Sequence, residues 1–399
     1  MEPGLPWEGE HGLDPLALPL VRVAHDPGQV RPLPSQPRQL GQLPVAGADG
    51  TNITVEQVLH ESATDAWLVM HEGNVVDEWY RPGVTPDETR VLMSISKSVV
   101  GAVAGCLVGR GVVRVEDAVT EYVPELTDSG YRDATVRDVL DMRSGVFFRE
   151  DYTDATSHIR HMDAAIAWRP GMVGVPPGLK AFLTGLQADR AHGGLFEYRS
   201  CETDVLGWVC ERAAASGMSD LIAKLLWVPM GAEADAAFMC DGAGTVVYDG
   251  GMLATARDVA RFGEVMLGGG VLRDVEIVPR RWVSQIWTVT PQLRAAFTAS
   301  AAGPFLPGGW YTNQCWVLPG PHGDVLLGLG IHGQLLRVDP ATRTVMVKLS
   351  SWDSPQDPKR LHDTLRACDA VAAVLSGRSG RSGPRFGPGV GRTRPVAGR

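Results

Sequence analysis

Ser94 and Lys97 stand three residues apart in "LMSISKSVVGAVAGCLVG" (92–109), and everything after the lysine in that stretch is small or apolar. Such a run suits a helix buried all round. In a helix's first turn a hydroxyl lies near unpaired backbone N–H groups and the positive end of the dipole. A side chain one turn on projects from nearly the same face. Burial disfavours a charged amine, so the Lys97 pKa is expected to fall. A neutral amine beside a hydroxyl is a general base beside a nucleophile, the chemistry of acyl transfer. The same residues admit a plainer reading, a helix-capping serine with a snorkelling lysine. Lysine is scarce, with five in 399 residues against 32 arginines. An arginine could supply surface charge but could not readily release a proton.

Other chemistries find less support. The sequence has no GxSxG, HExxH or GxxxxGK[ST] pattern. Gly328, Gly330 and Gly333 form a GxGxxG, but "QLLRVDP" follows, a strand and turn where a dinucleotide site needs a helix. These glycines instead suggest a strand that something approaches closely. His158 and His161 are spaced i, i+3 with no evident third ligand and are expected as loop histidines, so no metal is assigned. The net charge of −9 argues against a nucleic-acid binder. The six cysteines form no CxxC, and most lie in apolar runs, as buried free thiols do. The first twenty residues lack a basic segment and an uninterrupted apolar core, and no apolar run approaches ~18 residues. The expectation is a cytoplasmic protein with no membrane contact.

The elements that must position Ser94 and Lys97 can be sketched from pattern. Residues 1–50 hold nine of the 28 prolines and are expected as an extended surface arm. "AWLVMHEGNVVDEWY" (66–80) reads as a hairpin about His71–Asn74. Residues 116–240 are mainly helical, with Thr135 and Asp138 at capping-box spacing. Thr255 and Asp258 repeat that spacing before another helix, 324–351 gives two or three strands, and a last helix covers about 361–375. Strands at both ends and helices between them predict an α+β fold of the α/β class: an antiparallel sheet built from 51–115 and 241–375, flanked by helices, with an all-helical insertion over 116–240. Residues 376–399, with six arginines and no acid, are expected to be disordered.

Two further motifs give Ser94-x-x-Lys97 a context. "YRSCETDVLGWV" supplies Tyr198 and Ser200 ahead of a helix, and "GLGIHGQ" supplies His332 and Gly333. With them the chain resembles the serine β-lactamase and penicillin-binding-protein superfamily, whose S-x-x-K opens a central helix and whose Y-x-[SN] and H-x-G-like elements face it. Longer stretches, among them "VTEYVPEL", "REDYTDA", "GWYTNQCWV" and "VKLSSW", resemble in order the 6-aminohexanoate-dimer hydrolases and related carboxylesterases across about 66–375.

The resemblance implies a β-lactamase-like fold and a role for each matched residue. Ser94 would be acylated, Lys97 and Tyr198 would pass its proton to the leaving amine, and the N–H groups of Ser94 and Ile331 would form the oxyanion hole. Tyr152 would fold over the site, and Asp163 would take the place of the acid that favours substrates with a free amino end. Asp249 falls at the pocket wall, either binding substrate or pairing with a neighbour. Trp168 and Trp316 are candidate pocket walls, against the ordinary reading of a tryptophan as core, and His332 belongs to the facing strand. Glu150, Asp151, Asp154 and Asp163 gather near Tyr152, which suggests a cationic substrate end, although acidic loops are often simply solvated. The superfamily's K-T-G lysine is missing, which lowers the reading as a β-lactamase or peptidase. The expectation, as the resemblance implies, is a cofactor-free serine hydrolase acting on a small linear amide with a free amino end, such as a 6-aminohexanoate oligomer, with a short-chain carboxylesterase as alternative and a homodimer implied by the resemblance. A non-catalytic binding protein on the same fold is the competing class, disfavoured by the intact Ser94, Lys97 and Tyr198.

Overall fold

The structure, a computed structural model, describes residues 18–377. Its framework is a seven-stranded sheet in which every neighbouring pair is antiparallel. A second sheet of four strands is formed by β1 (Leu20–Val23), β4 (Arg90–Val91), β5 (Ala236–Met239) and β6 (Met252–Ala254), in the order β1-β5-β6-β4. The large sheet takes β2 (Thr64–His71), β3 (Asn74–Tyr80), β7 (Trp310–Thr312), β8 (Cys315–Pro319), β9 (Asp324–Gly330), β10 (Gln334–Asp339) and β11 (Thr344–Ser350), in the order β7-β8-β9-β10-β11-β2-β3. The fold class is thus the mixed α and antiparallel β expected. Leu20–Val23, inside the segment expected as an arm, is an edge strand on β5, and β5 itself falls inside the stretch expected to be helical.

Alternation explains the strands. In β2, Ala66, Leu68 and Met70 face one apolar cluster, while Trp67 and Val69 face another on the opposite side. Both faces are covered, so Ala66–Met70 is apolar at every residue rather than at every second one. Fully burying one such valine or leucine stabilises by about 1.5–3 kcal/mol. On the first face lie α2 (Ile95–Gly109) and α5 (Ala256–Leu267). Thr255 caps α5 by accepting the Asp258 N–H at 3.1 Å, the interaction its spacing predicts. The other face is closed by α1 (Val55–Glu61) and α6 (Pro358–Leu375). Asp357 caps α6, Pro358 needs no partner in its first turn, and Leu365, Cys368, Val371, Ala372 and Leu375 make its buried stripe. Between the strands lie α3 (His158–Ala165) and α4 (Ser200–Ala214), the latter packed on α2.

Helix α2 is buried from Ile95 to Leu107, as its composition predicts. Its small residues serve close packing: a Cβ at Gly101 would stand 2.6 Å from the Asn313 carbonyl oxygen. Among the described residues, no helix is long and apolar enough to cross a membrane. All six cysteines are free and buried. The expected arginine-rich tail lies, from residue 378, outside the described residues.

Candidate active site

The start of α2 is pinned from three sides. β4 pairs with β6, the Leu92 N–H donates to the Met252 carbonyl at 2.7 Å, and Met93 turns the chain with φ 48°. That left-handed conformation is uncommon for a residue with a side chain. Ser94 follows at φ −68°, ψ −1°, and its hydroxyl makes no capping bond, so the capping alternative does not describe it. Nor does Lys97 snorkel, being 1% exposed. Its Nζ lies 2.9 Å from Ser94 Oγ, 3.1 Å from Ser200 Oγ, 2.8 Å from the Asp249 carbonyl oxygen and 3.4 Å from Asp249 Oδ2.

Tyr198 completes the group. Lys97 Nζ stands 5.3 Å from its ring centroid, and the Ser94 side chain lies near enough its phenol to favour the phenolate. Trp316 stacks on the Tyr198 ring at 5.0 Å, and Tyr311 meets it edge-on at 5.9 Å. Trp316 therefore backs the tyrosine, a packing role beside the expected wall role. Sequence spacing alone placed Ser94 and Lys97 together, and the fold brings Tyr198 and Asp249 to them.

The charge state of Lys97 reverses the sequence expectation. Burial pushes its pKa down, but the Tyr198 oxygen and the carboxylates of Asp249, Glu150 and Asp204 outweigh burial and raise it. Tyr198 is itself pushed up, by burial first, with Lys97 and Ser94 opposing. Both groups are thus biased toward their protonated forms.

Three functional neighbours escaped the sequence reading as site residues. Ser200, quoted only as the third residue of the tyrosine motif, touches Lys97 directly. Glu150, one of the acids expected to face a cationic substrate end, is instead partly buried against the start of α4. Its Oε1 accepts the Ser200 hydroxyl at 2.9 Å and the Tyr152 hydroxyl at 2.7 Å, while Oε2 accepts the Ser200 N–H at 2.6 Å. Asp204 is fully buried and accepts the N–H groups of Tyr248 and Asp249 at 3.0 and 3.2 Å, holding the Asp249 carbonyl toward Lys97. Burial, then the nearby Asp249, lifts its carboxyl well above the usual range. An acid inside the apolar run "TDVLGWV" was the available signal for it.

The remaining expected residues lie around this group. Tyr152 turns its hydroxyl onto Glu150. Asp163 sits at the end of α3 with Arg169 Nε at 3.1 Å and Arg160 Nη1 at 3.8 Å, both on Oδ2. Burial nonetheless pushes it up to about 6. Asp249 pairs with a neighbour, and that neighbour is Lys97. Trp168 and Ile331 pack on the cluster that contains Met93, beside the nucleophile's turn. His332 has φ 60°, its N–H donates to the Pro355 carbonyl at 2.9 Å, and its Nδ1 lies 2.8 Å from the Trp352 carbonyl oxygen. It shapes the turn that carries Ile331. His158 and His161 belong to α3 rather than to a loop: "SHIRHMDAA" buries Ile159 and Met162 on one helical face, and His158 Nδ1 accepts the Arg149 N–H. No group of metal-ligating side chains occurs among the described residues.

The glycine strand is approached closely, as its composition suggests. A Cβ at Gly330 would stand 2.8 Å from the Leu92 carbonyl oxygen and 2.9 Å from the Met93 Cβ. Gly330→Ala is expected to push β9 off the nucleophile's turn, destabilising by about 1–3 kcal/mol as overpacking does. Turnover should fall at least tenfold, since small displacements at reacting groups are costly. A thermal melt and a rate on the same preparation check both.

A helix buried against an antiparallel sheet, with its first turn carrying a serine and a lysine beneath a tyrosine from a helical part, is the architecture of a β-lactamase-like hydrolase. The chain belongs to the beta-lactamase family, whose model matches residues 52–370. It is 40% identical over 325 residues to a 6-aminohexanoate-dimer hydrolase from Paenarthrobacter ureafaciens, covering 79% of this chain and 82% of that one. A structure described as a candidate 6-aminohexanoate-dimer hydrolase from Bacillus anthracis superposes with a TM-score of 0.84 at 23% identity, over 95% of this chain and 96% of its own. A family VIII carboxylesterase gives 0.57 at 15% identity, over 79% and 97%. These two likenesses concern the fold. The protein is a hydrolase of this family.

Proposed function

We propose that this protein is a serine amidohydrolase that cleaves linear amides with a free amino end, of the 6-aminohexanoate-dimer kind, through an acyl-enzyme on Ser94. The observation that carries the reading is the 2.9 Å contact between Lys97 Nζ and Ser94 Oγ inside a buried, carboxylate-lined site. Ser94 Oγ attacks the amide carbonyl, and its proton passes through Lys97 and Tyr198 to the leaving amine. The N–H groups of Ser94 and Ile331 hold the oxyanion; one such donor contributes about 10²–10³ in rate in other hydrolases. Water then attacks the ester with the same groups acting in reverse. Tyr152 closes over the substrate amide. The named activity of the relative at 40% identity supports this substrate class. Short-chain ester hydrolysis is the second reading, favoured by the carboxylesterase-like fold.

Asp163 is the amine-recognition group. The closest contact of each arginine falls on Oδ2, which makes Oδ1 the oxygen for a substrate ammonium. Because burial pushes the Asp163 carboxyl up to about 6, kcat/KM for an amine-ended amide should fall as pH drops through that value. Asp163→Asn should raise KM for the linear dimer about 10- to 100-fold, the loss of one charge-assisted hydrogen bond. The effect on a p-nitrophenyl ester of a neutral acyl chain should be smaller. Steady-state rates of both substrates from pH 5 to 9 test this, and equal effects on the two would remove the amine role. Dimer turnover far below ester turnover would favour the esterase reading.

A further inference from the structure

The charge states above leave a gap in the chemistry. Ser94 must lose a proton to attack, yet its two neighbouring bases, Lys97 and Tyr198, are both biased toward their protonated forms. Lys97 holds three protons against the acceptors Ser94 Oγ, Ser200 Oγ and the Asp249 carbonyl. One of these acceptors leads onward. Ser200 Oγ receives the Lys97 N–H at 3.1 Å and donates its own hydrogen to Glu150 Oε1 at 2.9 Å.

We infer that Glu150 takes the surplus proton of Lys97 through the Ser200 hydroxyl, and that this hand-over makes Lys97 the amine that deprotonates Ser94. The inference rests on the acyl-enzyme reading and extends it. The step balances: an Nζ–H bond of Lys97 breaks as its proton joins Ser200 Oγ, the Ser200 hydroxyl hydrogen moves to Glu150 Oε1, and an ammonium–carboxylate pair becomes an amine and a carboxylic acid. The neutral amine then removes the Ser94 proton as Oγ bonds the substrate carbonyl carbon.

The surroundings of Glu150 favour the exchange. Burial raises its pKa, while Lys97, the Tyr152 hydroxyl and the Ser200 N–H oppose. Asp249 adds to the rise, and Tyr198, Cys201 and Tyr311 also lie within its field. A neutral acid–amine pair needs less solvation than two ions, so excluding water when substrate binds shifts the balance toward the reactive form. Glu150 acts through Ser200 and Lys97 and is a positioning residue. Its bond to the Ser200 N–H would also suit a plain helix cap, which Glu150→Gln can keep because the amide oxygen still accepts.

The test follows phosphonylation of Ser94 by a serine-directed phosphonate, read by intact mass between pH 5 and 10, with a thermal melt for each variant. Wild-type labelling should rise with pH on the acid side as Glu150 ionises. Glu150→Gln should label about 100-fold more slowly, with that acid limb lost. Ser200→Ala should do the same, the double variant should be no slower than the slower single, and Ser200→Thr should recover most of the rate. Wild-type rate and pH profile in Glu150→Gln, or losses that multiply in the double variant, would overturn the relay. If Glu150→Gln does not fold, Ser200→Ala against Ser200→Thr decides alone. Absence of any adduct on wild type would overturn the acyl-enzyme reading itself, and the relay with it.

Discussion

Ser94→Ala is expected to lower amide turnover by about 10⁶-fold, the scale on which removal of the nucleophile acts in other serine hydrolases. The residue has no second job in the fold. It makes no capping bond to α2, so the stability lost when a capping hydroxyl is removed should not appear. Lys97 loses one acceptor but keeps Ser200 Oγ and the Asp249 carbonyl. The melting temperature should therefore change little while activity disappears, and the phosphonate adduct should vanish from the intact mass. An adduct that survives the substitution would place the nucleophile elsewhere. Parallel loss of stability and activity would reduce Ser94 to a structural role.

What could be foreseen from the sequence divides along the range of the interactions. The hairpin of β2 and β3, the buried α2, the capped α5 and the helix α6 all rest on contacts within a few residues or on one periodic pattern, and each was legible. Leu20–Val23 was not. It is four residues between prolines, and it becomes a strand only because Ala236–Met239, more than two hundred residues away, offers its backbone. The site divides in the same way. Ser94 and Lys97 share a helix face by spacing alone, and the resemblance supplied Tyr198. The desolvation of Lys97 was also foreseeable, because an apolar run surrounds it. The sign of its pKa shift was not, since that depends on Glu150, Tyr198, Asp204 and Asp249 arriving from three other segments. The place of Glu150 was not legible for the same reason. Among neighbouring acids in a polar stretch, nothing local shows which one turns inward to meet Ser200.

Lys97→Met should reduce turnover by about 10³–10⁴-fold, near the upper end of what a positioned acid–base group contributes. The thioether is close in length and removes every donor that Ser94, Ser200 and Asp249 now share. Unlike Ser94→Ala, this change should also alter stability in a pH-dependent way. Removing one partner of a buried ion pair costs about 3–5 kcal/mol when the other charge stays behind. Here Glu150 and Asp204 are already pushed up by burial, and without Lys97 they rise further. A carboxyl whose folded pKa is raised lets the folded state hold a proton that the unfolded chain releases. Its presence favours the fold at low pH, and that advantage is lost as pH climbs from the unfolded value, near 4, through the folded one. In wild type the Lys97 ammonium shortens this window by holding the carboxyls down, and its own raised pKa keeps that help in place across the neutral range. The variant should therefore melt only modestly below wild type near pH 5, and the gap should widen steadily toward pH 9. A gap that is constant with pH would mean that the carboxylates keep their charge without the lysine, leaving Glu150 unable to serve as a proton acceptor for it.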